Sequence, residues 1–248
     1  MSSNRTRVIF TGAAGALTGL GAAVEAEGAQ FTEWPLLTFA RAGDPTLLEE
    51  AFGRLDQYAA VCITSPRAAE AVARVVAQHD IDLTFAPVVW TSPACEALLR
   101  PLFPRIEVPP RDRGAGSLGV ALADTMLAHD AQSPVLFPCG DLHREELVTR
   151  LRAAGRVVEV VEAYRTILAG SSHAEAVMAA ADVVVVTSPG VARLLAAVER
   201  RERPALVAIG PTTADEAHHH GWRPDAVAAT PAVPAVAAAI HSLLPSYS

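Results

Sequence analysis

The sequence predicts an α/β fold of two similar three-layer units with parallel sheets, and three observations carry that prediction. Short apolar runs of strand length alternate with helix-length patterns along the chain, which is the signature of βα units whose sheet is covered on both faces. Four of these junctions share one grammar: Val61-Cys62-Ile63-Thr64-Ser65-Pro66-Arg67, Val88-Val89-Trp90-Thr91-Ser92-Pro93, Val184-Val185-Val186-Thr187-Ser188-Pro189 and Val207-Ala208-Ile209-Gly210-Pro211-Thr212-Thr213. Each is an apolar run, a hydroxyl residue beside a proline, and then a helical pattern. The order of elements also recurs about 120 residues later in the chain, as an internal repeat should.

In order, Val8 to Thr11 reads as a strand, Leu17 to Glu27 as a helix stopped by Gly28, and Gln30 to Leu37 as a second strand. Thr38 to Asp44 turns into an acidic helix, Pro45 to Arg54, and Tyr58 to Thr64 is the next strand. Helix Pro66 to Gln78, strand Val88 to Thr91 and helix Pro93 to Leu99 follow, and Arg100 to Val108 returns to the sheet. Pro109 to Gly116 is a loop by composition, and Ser117 caps a helix running to His129. Val135 to Pro138 is a strand, Gly140-Asp141 caps helix Leu142 to Ala154, Gly155 ends it, and Val157 opens a strand that runs to Leu168. The last third holds strand Val183 to Thr187, helix Pro189 to Arg201, strand Ala205 to Ile209 and helices Thr213 to His220 and Val233 to Leu244. Within the repeat, Val8 to Leu37 matches Val135 to Ala163, and the elements at Tyr58, Val88 and Ser117 match those at Val183, Ala205 and Val233.

Composition narrows the function. A chain of 248 residues, 51% hydrophobic and 19% charged, buries a sizeable core. A net charge of −7 without a basic run argues against nucleic acid as a partner. All 20 basic residues are arginine, which removes Schiff-base chemistry, the P-loop lysine and the Tyr-x-x-x-Lys pair. Met1 to Arg7 leads only into the short apolar stretch Val8 to Thr11, so it is not read as a signal peptide. No run approaches the roughly 18 apolar residues of a membrane helix. Cys62, Cys95 and Cys139 have neither disulfide nor metal-ligand spacing. A soluble, cytoplasmic protein without membrane partner is expected.

The strand ends point to the binding chemistry. A Ser or Thr there suits a helix N-cap and Pro suits the first turn, leaving backbone N–H groups and hydroxyls off the carboxyl end of a strand. Such places hold anions without a basic side chain. Three rival signals stand beside this one. Thr11-Gly12-Ala13-Ala14-Gly15-Ala16-Leu17-Thr18-Gly19 after a strand could cradle a pyrophosphate, but it misses the G-x-G-x-x-G spacing and lacks an acidic residue at the ribose position. The triple His218-His219-His220 invites a metal, yet neighbours on a helix point about 100° apart and cannot all face one ion. Cys139 could be a nucleophile, but no histidine-carboxylate pairing is evident from spacing, and a buried thiol is the plainer reading.

The run Leu136-Phe137-Pro138-Cys139-Gly140-Asp141-Leu142-His143-Arg144-Glu145, then Glu162-Ala163-Tyr164-Arg165-Thr166, Thr187-Ser188-Pro189 and Ala208-Ile209-Gly210-Pro211-Thr212-Thr213-Ala214, together resemble the uroporphyrinogen-III synthase family. Ile63-Thr64-Ser65-Pro66-Arg67-Ala68 looks like that family too, and the resemblance spans about Val8 to Leu244 as an ordered set of motifs. The repeat alone suggests a cut near Ala131. The resemblance implies instead a chain that crosses out and back: residues 1–36 with 168–248 as one domain, 37–164 as the second, and a two-stranded linker near 35–38 and 164–167. It also implies the substrate hydroxymethylbilane, a linear tetrapyrrole with eight carboxylates, cyclised by a lyase with inversion of its last pyrrole, without cofactor or metal, by a monomer. This chain departs from family habit at Gly12, where arginine is frequent, at Cys95, where threonine is, and at Pro204-Ala205, where some members carry lysine.

On that resemblance Tyr164 is the candidate catalytic residue, a phenol able to assist departure of the terminal hydroxyl; the alternative is a packed tyrosine whose hydroxyl bonds to the backbone. Substrate-binding candidates are Thr64, Ser65, Arg67, Ser92, Gly140, Arg144, Ser188, Pro189, Gly210, Thr212 and Thr213, with Arg165 as a further charge. Other functions left open are a non-catalytic two-domain binder of a carboxylated ligand and a nucleotide-dependent oxidoreductase using the Gly12 to Gly19 turn.

Overall fold

The computed structural model describes residues 5–109, 118–129 and 132–245. The chain runs β1 (Arg7–Phe10), α1 (Leu20–Ala26), β2 (Gln30–Glu33), β3 (Leu37–Arg41), α2 (Thr46–Gly53), β4 (Ala60–Ile63), α3 (Pro66–Gln78), β5 (Val88–Thr91), α4 (Pro93–Leu99) and β6 (Ile106–Glu107). It continues through α5 (Leu118–Ala128), β7 (Val135–Gly140), α6 (Glu146–Ala153), β8 (Val158–Leu168), α7 (Ser171–Ala180), β9 (Val183–Val186), α8 (Pro189–Ala196), β10 (Ala205–Ala208), α9 (Pro211–His219), β11 (Ala226–Val227) and α10 (Val233–His241). Two compact units result, Met1–Thr38 with Ile167–Ser248 and Phe39–Thr166.

In the first unit the sheet order is β11-β10-β9-β1-β2, with every neighbouring pair parallel. In the second the order is β3-β8-β7-β4-β5-β6, and the pairs from β8 to β6 are parallel. Read from the other edge, β6-β5-β4-β7-β8 repeats β11-β10-β9-β1-β2 strand for strand, which is the spatial form of the sequence repeat. The period of two along each strand divides the second unit's core into two layers. Ala60 and Cys62 of β4 face a cluster with Leu122 and Met126 of α5 and Leu147 and Leu151 of α6. Val61 and Ile63 face the opposite cluster, with Phe52 of α2, Val72 and Val75 of α3 and Leu99 of α4. In the first unit Val8, Phe10, Val183 and Val185 pack against Leu20 and Val24 of α1 and Val236 and Ile240 of α10.

Several expectations need correction. The strand expected from Gln30 to Leu37 ends at Glu33, before Trp34-Pro35, and Leu37–Arg41 is a strand of the other sheet where a turn was expected; Pro35 has no N–H to carry a ladder onward. The helix after β7 begins at Glu146 with Glu145 as its N-cap, because Asp141 is used elsewhere, accepting the N–H of Thr166 at 2.9 Å. Helix α8 stops at Ala196, not Arg201; the charged residues 199–203 offer no apolar face to bury. Helix α7 was not anticipated although Ala174, Val177 and Met178 form an i, i+3, i+4 buried stripe. Of the four expected hydroxyl caps only Ser188 forms one, accepting the Val191 N–H at 3.3 Å. Ser65 and Ser92 occupy N-cap positions without a side-chain cap bond, and Gly210, not a threonine, is the N-cap of α9. The Ser117 cap and the loop at 110–116 lie outside the described residues.

Candidate functional site

The carboxyl ends of β4 and β7 and the adjoining part of β8 enclose a pocket of about 250 Å³ in the second unit. Its wall is set by a bulge. β7 and β8 keep strict register through Cys139↔Glu162, then shift so that Gly140 pairs with Tyr164. An extra residue on one strand re-aims the side chains beyond it, and here Ala163 and the half-buried Tyr164 both pack on the cluster that contains Ile63 and Val161. The Tyr164 phenol meets the Ser65 hydroxyl, Oη to Oγ 3.1 Å, with either oxygen able to donate. The tyrosine hydroxyl therefore bonds to a side chain at the pocket, in place of the backbone partner of the packed-tyrosine alternative.

Two neighbours hold that ring. Phe39 of β3 meets it edge-on at 5.6 Å between centroids, a favourable arrangement for two aromatic quadrupoles. Gly140 lies under it so closely that a Cβ there would fall 2.6 Å from Tyr164 Cζ and 2.8 Å from Oη. Any side chain at this position would have to push the phenol aside. The pocket is completed by Thr64, Phe137, Cys139, His143 and Arg144 among others. Arg144 is exposed, with no hydrogen-bond or ion-pair partner among the described residues. His143 Nδ1 lies 3.1 Å from the Gly140 carbonyl oxygen; its Nε2 is 3.1 Å from Glu145 Oε1, but out of line for a hydrogen bond.

The structure thus brings Thr64, Ser65, Gly140, Arg144 and Tyr164 together, while Arg67 lines the next pocket along with Tyr164 and Phe39. Ser92 differs: it is 1% exposed and its hydroxyl donates to the Thr64 carbonyl oxygen at 3.2 Å. It buttresses the turn and does not face a ligand. Arg165 is engaged by Glu162, Nε to Oε1 2.6 Å, and this pair with the Gly43 N–H holds the Glu162 carboxyl below its ordinary pKa. In the first unit Ser188 and Pro189 begin α8, and Gly210 and Thr212 begin α9. These two helices pack on each other, so their first turns sit side by side. Thr212 is exposed, but Thr213 is 4% exposed inside the helix, so it is a core contact and neither cap nor accessible anchor.

The rival signals acquire physical content. Contrary to expectation an acidic residue does end the second strand, since β2 closes on Glu33, but its Oε2 takes the Gly15 N–H at 3.2 Å, where a phosphate would bind, and a carboxylate there repels a second anion. Cys139 is pushed up to about 12, first by burial and then by Glu145, Glu162 and Asp141, so it stays a thiol at neutral pH. Among the described residues no group of three or more His, Cys, Asp or Glu is placed to hold a metal, and no described helix is long and apolar enough to cross a membrane. Sequence reasoning missed His143, Phe39, Arg41 and Arg74 around Tyr164. His143 stood within the quoted motif, whereas the other three are brought there only by the placement of β3 beside β8 and by the turn of α3.

Comparison with known proteins bears on the family and the fold. The family model for "Uroporphyrinogen-III synthase HemD" matches residues 19–238. No curated protein matches the chain. Among solved structures, a mutant uroporphyrinogen III synthase from the extremely thermophilic bacterium Thermus thermophilus is similar at 15% identity and a TM-score of 0.65, covering 96% of this chain and 98% of that one. A uroporphyrinogen-III synthetase from Helicobacter pylori is similar at 16% identity and a TM-score of 0.60, covering 96% of this chain and 99% of that one. These likenesses carry the two-domain α/β fold, and the family model spans most of the sequence. The chain belongs to the uroporphyrinogen-III synthase family.

Proposed function

We propose that this chain is a lyase that closes hydroxymethylbilane to uroporphyrinogen III, with the terminal hydroxyl leaving at Tyr164. The observation that carries the reading is the Ser65–Tyr164 hydroxyl pair at 3.1 Å, in a pocket that also offers Thr64, Arg144 and the glycine-backed face of the phenol. The reaction makes few chemical demands. The terminal hydroxyl leaves as water once it gains a proton, the resulting azafulvene is attacked by the last pyrrole to give a spiro intermediate, and ring opening and reclosure invert that pyrrole. The free bilane closes without inversion, so the protein's task is to hold one conformation of a flexible polyanion.

Tyr164 donates a hydrogen bond or its proton to the departing hydroxyl, and Ser65 orients the phenol and can relay to it a proton taken up from solvent. Within the second unit Arg144 supplies a donor for an acid arm, and within the first unit the first turns of α8 and α9, at Ser188, Pro189, Gly210 and Thr212, are anion-holding places in their own right. No step requires a metal, a nucleophile on the protein or a nucleotide. Three buried cysteines, all free, suit a reducing cytoplasm, and a monomer is the working state of this reading, which sedimentation equilibrium checks.

Incubation with freshly made hydroxymethylbilane, in EDTA and without added nucleotide, should yield the type III isomer after oxidation and chromatographic separation. Exclusive formation of the uninverted isomer, or activity that depends on metal or NAD(P)H, would overturn the reading. Tight binding of the bilane with no isomer inversion would make the chain a binding protein.

A further inference from the structure

Tyr164 also lines a second cavity, of about 330 Å³, together with Phe39, Arg41, Arg67, Glu70 and Arg74 among others. Its charge is built by two elements. Arg67, Glu70 and Arg74 stand at i, i+3 and i+7 on α3 and so share one helix face, and Arg41 comes from β3. Three guanidiniums against one carboxylate leave the cavity at +2 in a chain whose formal net charge is −7. Arg67 is already engaged, 2.9 Å from Glu70 and 4.9 Å over the Phe39 ring. Arg41 and Arg74 have no partner among the described residues.

That absence is unusual in this unit. Arg54 pairs with Glu159, Arg100 with Glu96, Arg150 with Asp124 and Arg165 with Glu162. Arg105 and Arg152 donate to carbonyl oxygens, and Arg156 has a partner as well. Of the described arginines between Phe39 and Thr166 only Arg41, Arg74 and Arg144 are left over, and all three line the cavities that share the Tyr164 ring. Further along the groove Glu49 lines the adjoining cavity with Arg41 and Arg74 and lies 3.6 Å from His79 Nε2, making no ion pair with either arginine. Exposed guanidiniums without a protein partner, gathered in a concave surface, are a fork-shaped receptor for carboxylates.

We propose that the Arg41–Arg67–Arg74 groove is a carboxylate subsite that grips an acid arm of the tetrapyrrole while its reacting end occupies the Thr64–Tyr164 pocket. The inference rests on the proposed function for its ligand, and it assigns the two unpaired arginines to ground-state binding and not to chemistry. The test compares wild type with Arg41→Ala, Arg74→Ala, the double variant, Arg41→Lys, and Arg200→Ala as a charge control in the other unit. Each single alanine variant should raise KM about 10-fold, the low end for a hydrogen bond to a charged group. Its kcat should stay within about twofold, since uniform binding is what is lost. Arg41→Lys should recover part of the loss and Arg200→Ala should match wild type.

Fluorescence titration supplies a readout independent of turnover. An octacarboxylate porphyrin should bind wild type more tightly than a tetracarboxylate porphyrin whose acetate arms are methyl groups, and the double variant should lose most of that preference together with part of the salt dependence. A wild type active on bilane but with KM and both titrations unchanged in the double variant would overturn the groove and leave the proposed function standing. A wild type that never forms the inverted isomer, yet loses octacarboxylate binding in the double variant, would overturn the proposed function and support the groove.

Discussion

Gly140 and Tyr164 make one device from two residues far apart in sequence. A methyl group on Gly140 would sit 2.6 Å from Tyr164 Cζ, closer than van der Waals contact permits, so Gly140→Ala must displace the ring from Ser65. Overpacking of this kind costs about 1–3 kcal/mol in a closed core, and less here because the ring is only half-buried. Tyr164→Phe keeps the ring and removes one oxygen. General-acid assistance is worth about 10²-fold or more, and azafulvene formation is intrinsically easy, so its kcat should fall by about 10²-fold or less with unchanged folding. If the phenol is what Gly140 serves, Gly140→Ala should show a similar kcat loss, and the double variant should be no worse than the poorer single one. A fully folded Tyr164→Phe with wild-type kcat would make the phenol structural and catalysis a matter of conformation alone. The sequence displayed Tyr164 in a motif, but not its neighbours. That Arg41 and Arg74 are unpaired is a property of where β3 and α3 put them, which no spacing along the chain reveals. Ser92 misled for the opposite reason: its Thr-Ser-Pro context matches that of Ser65, while its hydroxyl is turned inward to Thr64.

Strands were the most legible elements, because β4, β7 and β9 are buried at every position and so read as unbroken apolar runs. Edge elements were not: β11 and β6 have two residues each, too few to carry a period, and the alternation of Leu37 and Phe39 with exposed Thr38, Ala40 and Arg41 in β3 is only five residues long and begins two residues after Pro35. The start of β1 is fixed by electrostatics that the sequence does not display. Arg7 Nη2 lies 2.7 Å from Asp182 Oδ1, and the Arg7 backbone N–H donates to Oδ2 at 2.8 Å, pinning β1 to the entrance of β9. The Arg7 side chain above all holds the Asp182 pKa below its ordinary 3.8. A carboxylate whose pKa is depressed on folding contributes stability that is complete above its unfolded value and is lost as pH falls through its folded one. With the two side chains 46% and 42% exposed, screening keeps the contribution to about 0.5–1 kcal/mol. Asp182→Asn should therefore lower stability by that amount at pH 7, and the gap from wild type should close as pH drops below the ordinary carboxylate range. Thermal or urea unfolding at several pH values measures it; a gap that does not vary with pH would show that the backbone bond, not the charge, matters at this position.

The path of the chain through its two units is where sequence and repeat pull apart. Internal similarity at about 120 residues invites a cut near Ala131, yet that cut would separate β4 from β7, which pair at Ala60↔Val135 and Val61↔Leu136, and β1 from β9, which pair from Val8↔Val183. Each sheet is completed by strands from the other side of the cut, so the cut breaks an interior pair of both sheets. Burial periodicity cannot register this, since a strand reads the same whichever partner lies beside it. The contiguous stretch 37–168, by contrast, holds β3 to β8 entire, with both core clusters that sandwich their sheet. It should fold alone, because its hydrogen-bond ladder and its two apolar layers are all contained within it. A fragment of residues 1–131 should not, since β1 and β2 would lack β9 and β4 would lack β7. Urea titrations followed by far-UV circular dichroism, with amide dispersion in nuclear magnetic resonance as the second probe, distinguish the two. A single cooperative transition is expected for 37–168 and a shallow, non-cooperative drift for 1–131; the reverse outcome would mean that the repeat, and not the sheet pairing, marks the folding unit.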